Sequence, residues 1–188
     1  MQTSLVRKAQ VLAEHALGEE LPRRWGHVKA VAAKAQHLAS LLKSDRDRDV
    51  LVAAALLHDV GYASSLAESG FHPLDGGRWL RSIEFDDRVA SLVAHHTNAV
   101  VEAELRGLVG ELTDEFEREE SEVADLLWYC DLTTGPDGQN LSVDERIKEI
   151  RERYEPESVV RLFIDRSVGT FHEVAKRVEG RMPPTQPM

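Results

Sequence analysis

Apolar residues recur three and four positions apart along most of the chain, the spacing that places them on one face of an α-helix. No segment alternates apolar and polar residues convincingly, as a half-buried strand does. The spacing predicts helices over residues 3–17, 27–43, 46–60, 74–83, 86–96, 119–132, 143–153 and 156–179. Connections are predicted where Gly and Pro cluster with polar residues, at 18–22, 61–73 and 135–138. The pattern therefore predicts an all-α helical bundle.

The length of 188 residues, 42% of them hydrophobic, is typical of a single domain with a substantial core. We expect an N-terminal helix over residues 1–20 that packs on the domain, the helical domain itself over 21–180, and a Pro-rich tail over 181–188. Because the tail has little to bury, we expect it to be mobile. Ser142 followed by Glu145 forms a capping-box pattern, which predicts that a helix starts there.

The net charge of −10 disfavours long nucleic acids as partners, because each phosphate contact needs a cation. The acidic segment from Glu111 to Asp125 lacks the glycine turn of a calcium loop, and we interpret it as a solvated helical face. No apolar stretch approaches the roughly 20 residues that span a bilayer, and the N-terminus does not resemble a signal peptide. The single cysteine, Cys130, is interpreted as a buried apolar residue. We therefore expect a cytoplasmic protein without a membrane partner.

Histidine and aspartate residues interrupt the apolar pattern where a polar side chain has no ordinary structural reason to lie. His58 and Asp59 close the apolar run of residues 50–57, and Asp131 ends a second run over 126–130. Further histidines lie before and after this pair, at His27, His72, His95 and His96. Imidazole nitrogens suit transition metals, whereas carboxylates also accept harder ions. The mixture predicts a site for one or two divalent ions of Fe, Mn, Co, Ni or Zn.

In their order (H, HD, H, HH and D) and in their settings, these residues resemble the HD-domain superfamily, whose members are mostly metal-dependent phosphohydrolases. The resemblance covers roughly residues 20–170, and the matching segments are Arg24–Val28, Ala54–Tyr62, Phe71–Gly77, Val93–Thr97 and Tyr129–Asp131. It is strongest to small HD-domain proteins that carry the HDxGY and GFHPLDG elements, which stand here at His58–Tyr62 and Gly70–Gly76.

The resemblance implies which residues bind metal and which are catalytic. It implies that a first ion is surrounded by His27, His58, Asp59 and Asp131. It also implies that His72, with His95 or His96, completes a second site and that Asp59 bridges both ions. Adjacent helical residues point about 100° apart, so His95 and His96 need not both be ligands, and the sequence does not choose between them. Asp59 and His58 are the expected catalytic residues.

The reaction implied by the resemblance is hydrolysis of a phosphate ester or anhydride by a metal-activated water. The leading class of small phosphorylated substrate is a nucleotide or dinucleoside polyphosphate, since HD hydrolases of diadenosine tetraphosphate share the pair found at His96-Thr97. No Gly-Tyr-Pro sequence follows the paired histidines, which disfavours the branch that cleaves cyclic dinucleotides. Substrate binding is expected from Arg78, Arg146 and Tyr62, the last at a position where many HD proteins carry lysine.

Two other functions fit the same residues. Some HD proteins with two iron ions use dioxygen to oxidise carbon, and their ligand order of H, HD, H, H and D is the one found here. A non-catalytic HD module that binds a nucleotide or a protein partner is the second alternative. The sequence leaves the oligomeric state open, and a homo-oligomer is one of the alternatives.

Overall fold

The computed structural model describes residues 3–183. The α-helices in this range are Ser4–Leu17 (α1), Pro22–Leu38 (α2), Asp45–Leu57 (α3), His72–Ser82 (α4), Asp87–Ala94 (α5), Ala99–Arg106 (α6), Val109–Glu115 (α7), Glu122–Leu132 (α8), Val143–Arg153 (α9) and Val159–Glu179 (α10). Short 3-10 turns lie at Ala39–Leu41, Val60–Tyr62 and His96–Asn98. No β-strand occurs among the described residues, so the all-α prediction is confirmed.

Helix α3 lies at the centre of the bundle. Every residue from Val50 to Leu57 is buried, because this half of the helix is apolar on all sides and is covered on all sides. The helix packs against α1, α2, α5 and α8. The N-terminal helix α1 buries Ala9, Ala13 and Leu17 as it packs on α3 and α2. The position of α3 carries the polar pair at its end, His58 and Asp59, into the interior of the protein.

Two short helices, α6 and α7, were not predicted from the sequence. They contain 8 and 7 residues, and α6 ends at Gly107, whose φ of 74° is a conformation that favours glycine. About two turns of helix are too short for a period of 3.6 residues to stand out in a sequence. Both helices depend on packing, since Ala103 and Leu112 are completely buried.

The acidic segment is not one continuous helical face, which corrects our expectation. Helix α7 ends at Glu115, and the next residue, Phe116, is buried in the core with 1% of its surface exposed. Helix α8 starts only at Glu122, where the Ser121 hydroxyl accepts hydrogen bonds from the first turn. The buried Phe116 and the N-cap Ser121 therefore divide the acidic segment into two separate helices with a connection between them.

Helices α9 and α10 pack on each other, and α10 also packs on α6 and α8. The predicted capping box is confirmed: Glu145 N donates to Ser142 Oγ (3.2 Å), and Ser142 N donates to Glu145 Oε2 (2.7 Å). At the start of α10, the Ser158 hydroxyl accepts a hydrogen bond from Arg161 N at 3.3 Å. Both helix starts are thus fixed locally, next to the residues that face the site.

The remaining sequence predictions concern the tail, the cysteine and the membrane. Most of the predicted mobile tail, residues 184–188, lies outside the described residues, whereas Arg181 pairs with Glu122 at 2.8 Å. Cys130 is buried as expected, and burial raises the pKa of its thiol to about 12. Between residues 3 and 183 no helix has both the length and the apolar character needed to cross a bilayer.

Candidate metal centre

Six polar side chains from five parts of the bundle converge on one point. His27 projects from the second turn of α2, and Asp131 from the last turn of α8. The other four side chains lie at helix ends, where His58 and Asp59 follow α3, His72 begins α4 and His96 follows α5. A helix end is a suitable place for a polar ligand, because the side chain there reaches the interior without interrupting the apolar face of the helix.

The six side chains form two groups of three, each with its ligand atoms within 4.8 Å of one another. The first group is His27, His58 and Asp131, and the second is Asp59, His72 and His96. The Asp59 carboxylate lies between them. Its Oδ2 is 3.5 Å from His58 Nε2, and its Oδ1 is 3.3 Å from His72 Nε2. One carboxylate can therefore serve both groups.

Backbone hydrogen bonds fix the tautomers of three of the histidines. The Nδ1 atoms of His27, His58 and His96 donate to the carbonyl oxygens of Gly135, Ala55 and Val93, at 3.0, 2.8 and 2.7 Å. Since a carbonyl only accepts, each neutral ring must carry its proton on Nδ1 and direct the Nε2 lone pair at the centre. His58 Nε2 is buried and has no hydrogen-bond partner between residues 3 and 183. An uncompensated buried lone pair of this kind fits a metal ligand.

Burial and charge set the protonation states at the centre. Burial lowers the pKa of His58 to about 4, which keeps the ring neutral at pH 7. Burial opposes ionisation of Asp59, but His58, which is charged in the acid range where Asp59 titrates, and the Arg24 guanidinium outweigh burial and hold the pKa well below its usual range. For Asp131 the hydrogen bond with His27 likewise outweighs burial and lowers the pKa. Burial lowers the pKa of His27, yet the same hydrogen bond with Asp131 raises it overall.

Comparison with known protein families matches residues 24–132 to the HD domain, a span that covers more than half of the chain and all six converging side chains. The chain belongs to the HD-domain family. HD domains are generally metal-dependent phosphohydrolases, and the two groups of His and Asp side chains accord with that chemistry. Searches of curated proteins and of solved structures gave no significant match.

An arginine not predicted to be functional lies against the centre of this HD domain. Arg24 Nη1 donates to Asp59 Oδ2 at 2.6 Å, and its guanidinium lies 3.5 Å from the centre of the Tyr62 ring. Tyr62 in turn stacks on His72, with the ring centres 3.9 Å apart. The signal in the sequence was the spacing, because Arg24 precedes His27 by three residues and so shares its face of α2.

The second residue not singled out as functional is Thr97. Its hydroxyl donates to Asp131 Oδ2 at 2.5 Å, while the other carboxylate oxygen lies 3.1 Å from His27 Nε2. Thr97 and Asn98 both have positive φ, 49° and 60°, a conformation that costs a β-branched residue free energy. Asn98 donates to the buried Ser167 at 3.0 Å and thereby helps to hold the kink. The strained turn allows the Thr97 hydroxyl to reach Asp131.

The structure separates His95 from His96. His95 Nε2 donates to the Phe116 carbonyl at 2.8 Å, and the ring lies outside both groups. His96 Nε2 instead approaches His72 Nε2 to 3.3 Å. Of the two histidines between which the sequence did not choose, only His96 therefore reaches the centre.

Arg78 does not lie at the site, contrary to our expectation. Its guanidinium pairs with two acids of α7, Glu111 at 2.6 Å and Glu115 at 2.8 Å. Because α7 was not predicted, these partners could not be foreseen from the sequence. The other two expected substrate-binding residues, Tyr62 and Arg146, do line the cavity beside the metal centre.

This cavity has a volume of about 420 Å³ and extends from the two groups to α9 and α10. His58 lies behind its wall, whereas the other five converging side chains line it. Four arginines also line it, namely Arg23, Arg24, Arg146 and Arg153. The acids Glu20, Asp59, Glu102 and Asp131 line it as well, so the arginines balance these carboxylates, and bound metal ions would make the cavity favourable for an anionic ligand.

Proposed function

We propose that this HD-domain protein is a phosphohydrolase that uses one or two divalent transition ions to hydrolyse a small phosphate ester or anhydride. The observation that carries the proposal is the position of Asp59, whose two oxygens face two separate groups of ligands at 3.3–3.5 Å. We assign His27, His58 and Asp131 to one ion, His72 and His96 to the other, and Asp59 to both. Ions bound there lower the pKa of water and neutralise phosphate oxygens.

The residues of the chain have distinct roles in this proposal. Asp59 accepts a hydrogen bond from the attacking water and so orients it toward phosphorus. His58 would contribute to catalysis by holding the first ion through its neutral, buried Nε2, which has no hydrogen-bond partner among the described residues. In the reaction, the water oxygen forms a bond to phosphorus, the bond to the leaving oxygen breaks, and the proton lost by water ends on the leaving group. Its net result needs no oxidant or reductant.

Arginine side chains supply the phosphate contacts in this scheme. Arg24 lies at the edge of the metal centre, where it donates to Asp59 and its guanidinium carbon is 3.5 Å from the centre of the Tyr62 ring. Arg146, which pairs with Glu149 in this structure, also lines the cavity and would exchange that partner for a phosphate oxygen. Guanidinium groups bind phosphate with paired hydrogen bonds. These two residues replace Arg78, which faces α7.

The substrate in this proposal is a small phosphorylated molecule, and long nucleic acids and membranes are not expected partners. Nucleotides and dinucleoside polyphosphates, the class implied by the sequence resemblance, belong in the first assays. The cavity of about 420 Å³ is near the lower end of the range of roughly 300–1,000 Å³ that small-molecule sites occupy. Its size favours substrates of one ring system over two linked nucleosides.

The direct test compares Asp59→Asn with Asp45→Asn, a matched change in the exposed first turn of α3, the helix that precedes Asp59. Both variants and the unaltered protein are purified, loaded with Fe, Mn, Co, Ni or Zn, and assayed for phosphate release from a panel of phosphate esters. We expect Asp59→Asn to lower kcat by at least about 100-fold and Asp45→Asn to leave it unchanged. Equal activity of all three proteins, or no phosphate release with any ion, would refute the proposal.

The alternative chemistry, oxidation by two iron ions, is favoured by the same observation of two ligand groups that share Asp59. Dioxygen uptake by the iron-loaded protein separates the two activities, because hydrolysis consumes none. A binding module without catalysis is distinguished by the Asp59→Asn variant, which would keep its affinity for a phosphate ester while the unaltered protein shows no turnover.

A further inference from the structure

The cavity has two chemically different ends, and they come from different parts of the chain. The metal-facing end is built by residues within 24–132, the span that matches the HD domain. Most of the large apolar side chains that line the cavity lie outside that span, beside Arg146, Arg153 and Tyr154 of α9: Leu21, Ile150, Val160, Phe163 and Ile164. The HD segment thus supplies the candidate metal ligands. Helices α9 and α10, together with Leu21 before α2, supply an apolar surface of the same cavity.

This apolar surface is preformed. Phe163 is 7% exposed and packs edge to face on Phe171, with the ring centres 6.0 Å apart. Ile164 is 2% exposed, and Ile150 lies on α9, whose start is fixed by the capping box. A rigid apolar wall that already exists in the protein binds an apolar ligand without a cost of ordering it.

The polar side chains that line the cavity mostly have partners already. There is no Asn, Gln or Ser among the described lining residues, and the neutral hydroxyl groups are those of Tyr62, Thr97 and Tyr154. Thr97 donates to Asp131, Glu20 accepts from Ser64 N, and Glu102 pairs with Arg106. The arginines Arg23 and Arg146 pair with Asp137 and Glu149. A sugar or nucleobase would therefore compete with existing hydrogen bonds, whereas an apolar group would not.

Resting on the proposed phosphohydrolase function, we propose that the substrate is a phosphate monoester of an apolar alcohol. The phosphate lies at the metal-facing end beside Arg24, and the alkyl or arylalkyl group packs on Val160, Phe163 and Ile164. Water attacks phosphorus, the bond from phosphorus to the ester oxygen breaks, and the proton from water converts that oxygen to the free alcohol. The nucleotides implied by the sequence resemblance then become the comparison substrates.

A series of esters of primary alcohols tests this proposal, because their leaving groups are chemically alike. We would measure kcat/KM for methyl, butyl, hexyl and benzyl phosphate beside ribose 5-phosphate and AMP. We expect kcat/KM to rise about two- to fourfold per methylene, and benzyl phosphate to exceed AMP by about tenfold or more. Hydrolysis that favours AMP or ribose 5-phosphate would overturn the apolar substrate and leave the hydrolase intact. Failure to hydrolyse any ester would instead count against the proposed function.

Binding of phosphonates tests the apolar wall independently of turnover. Methyl-, butyl- and hexylphosphonate cannot be hydrolysed, and calorimetry on the metal-loaded protein gives their Kd values. We expect Kd to fall with chain length in the unaltered protein. Val160→Thr should weaken hexylphosphonate about three- to tenfold and leave methylphosphonate unchanged, because it places a hydroxyl against the chain. Val168→Thr, on the same helix but away from the cavity, is the control. Equal Kd values for the three phosphonates, or equal effects of the two variants, would overturn the proposal.

Discussion

Thr97 holds the Asp131 carboxylate in place through a hydrogen bond of 2.5 Å. Thr97→Val keeps the branched shape in the strained turn but removes that bond. We expect the variant to fold and to bind Mn or Zn about 10- to 100-fold more weakly, because loss of a group that orients a ligand has effects of this size. Metal titration followed by calorimetry measures the change. Thr113→Val, which removes an exposed hydroxyl on α7, serves as the control, and unchanged affinity in Thr97→Val would contradict the role of the hydroxyl.

Arg24 is the cation nearest to the metal centre. Arg24→Gln should lower kcat/KM for phosphate esters by about 10- to 100-fold, the effect of losing a hydrogen bond between charged groups. Steady-state kinetics provide the measurement. The control is Arg46→Gln, which alters an exposed ion pair with Asp86. If both variants keep the kinetics of the unaltered protein, Arg24 does not contact the phosphate.

Single residues were predictable from the sequence where they broke a strong pattern. His58, Asp59 and Asp131 interrupt apolar runs, and a buried polar side chain needs a chemical reason. The choice between His95 and His96 was not predictable, since both are buried and their directions depend on the exact residue at which α5 ends, Ala94. Arg24 was not singled out, because the helix was predicted to start at residue 27 and not at Pro22, which placed Arg24 outside it.

The turn Val60–Tyr62 fits closely against the start of α4, which carries His72. A Cβ atom on Gly61 would lie 2.0 Å from the His72 carbonyl oxygen and 2.7 Å from Gly76 N. Gly61→Ala must therefore push α4 away and displace His72 from Asp59. We expect the bound metal to fall from about two ions per chain to about one, as measured by elemental analysis. Gly26→Ala, where a Cβ has no atom within 4 Å, should keep both ions. Two ions in Gly61→Ala would show that α4 is not needed in this position.

Arg88 links three elements, since it donates to Glu119 before α8 (2.8 Å) and to Asp47 of α3 (2.6 Å) from its place in α5. The hydrogen bonds from Arg88 outweigh burial and lower the pKa of Glu119. A folded-state pKa below the unfolded value means that the stabilisation exists above the ordinary pKa of about 4.3 and is lost as the pH falls through the folded-state pKa.

Glu119→Gln should therefore lower the free energy of unfolding by about 1 kcal/mol at pH 7, and the difference from the unaltered protein should shrink toward pH 3. Urea unfolding at the two pH values measures this. Glu117→Gln, at an exposed acid of the same segment, should have little effect at either pH. A difference that stays constant with pH would mean that the ionised form of Glu119 is not the stabilising one.

Helices were predictable in proportion to their length and to the share of their surface that is buried. Helix α3 stood out because eight successive residues are apolar. Helices α6 and α7 did not, since each has only about two turns and depends on Ala103 or Leu112 meeting the rest of the core. Because α7 was not predicted, Arg78 was expected to bind substrate, whereas it pairs with Glu111 and Glu115 of that helix.

At the scale of the whole molecule, two parts of the chain line the cavity. The HD segment supplies the His and Asp side chains, and α9 and α10 supply the facing wall, where α10 packs on α6 and α8. The sequence indicated both parts as helical, but the cavity between them is lined by residues that are distant in the sequence, such as Tyr62 and Tyr154, and that share no local pattern. The sequence could therefore indicate the class of chemistry and not the shape of the substrate site.

The most direct test of the proposed function is elemental analysis of the protein purified without added metal, with phosphate release measured on the same sample before and after chelation. We predict about two transition ions per chain, and ester hydrolysis that is lost on chelation and restored by adding the ion. A protein that binds no transition ion, or that hydrolyses phosphate esters equally well after chelation, would contradict a metal centre built around Asp59.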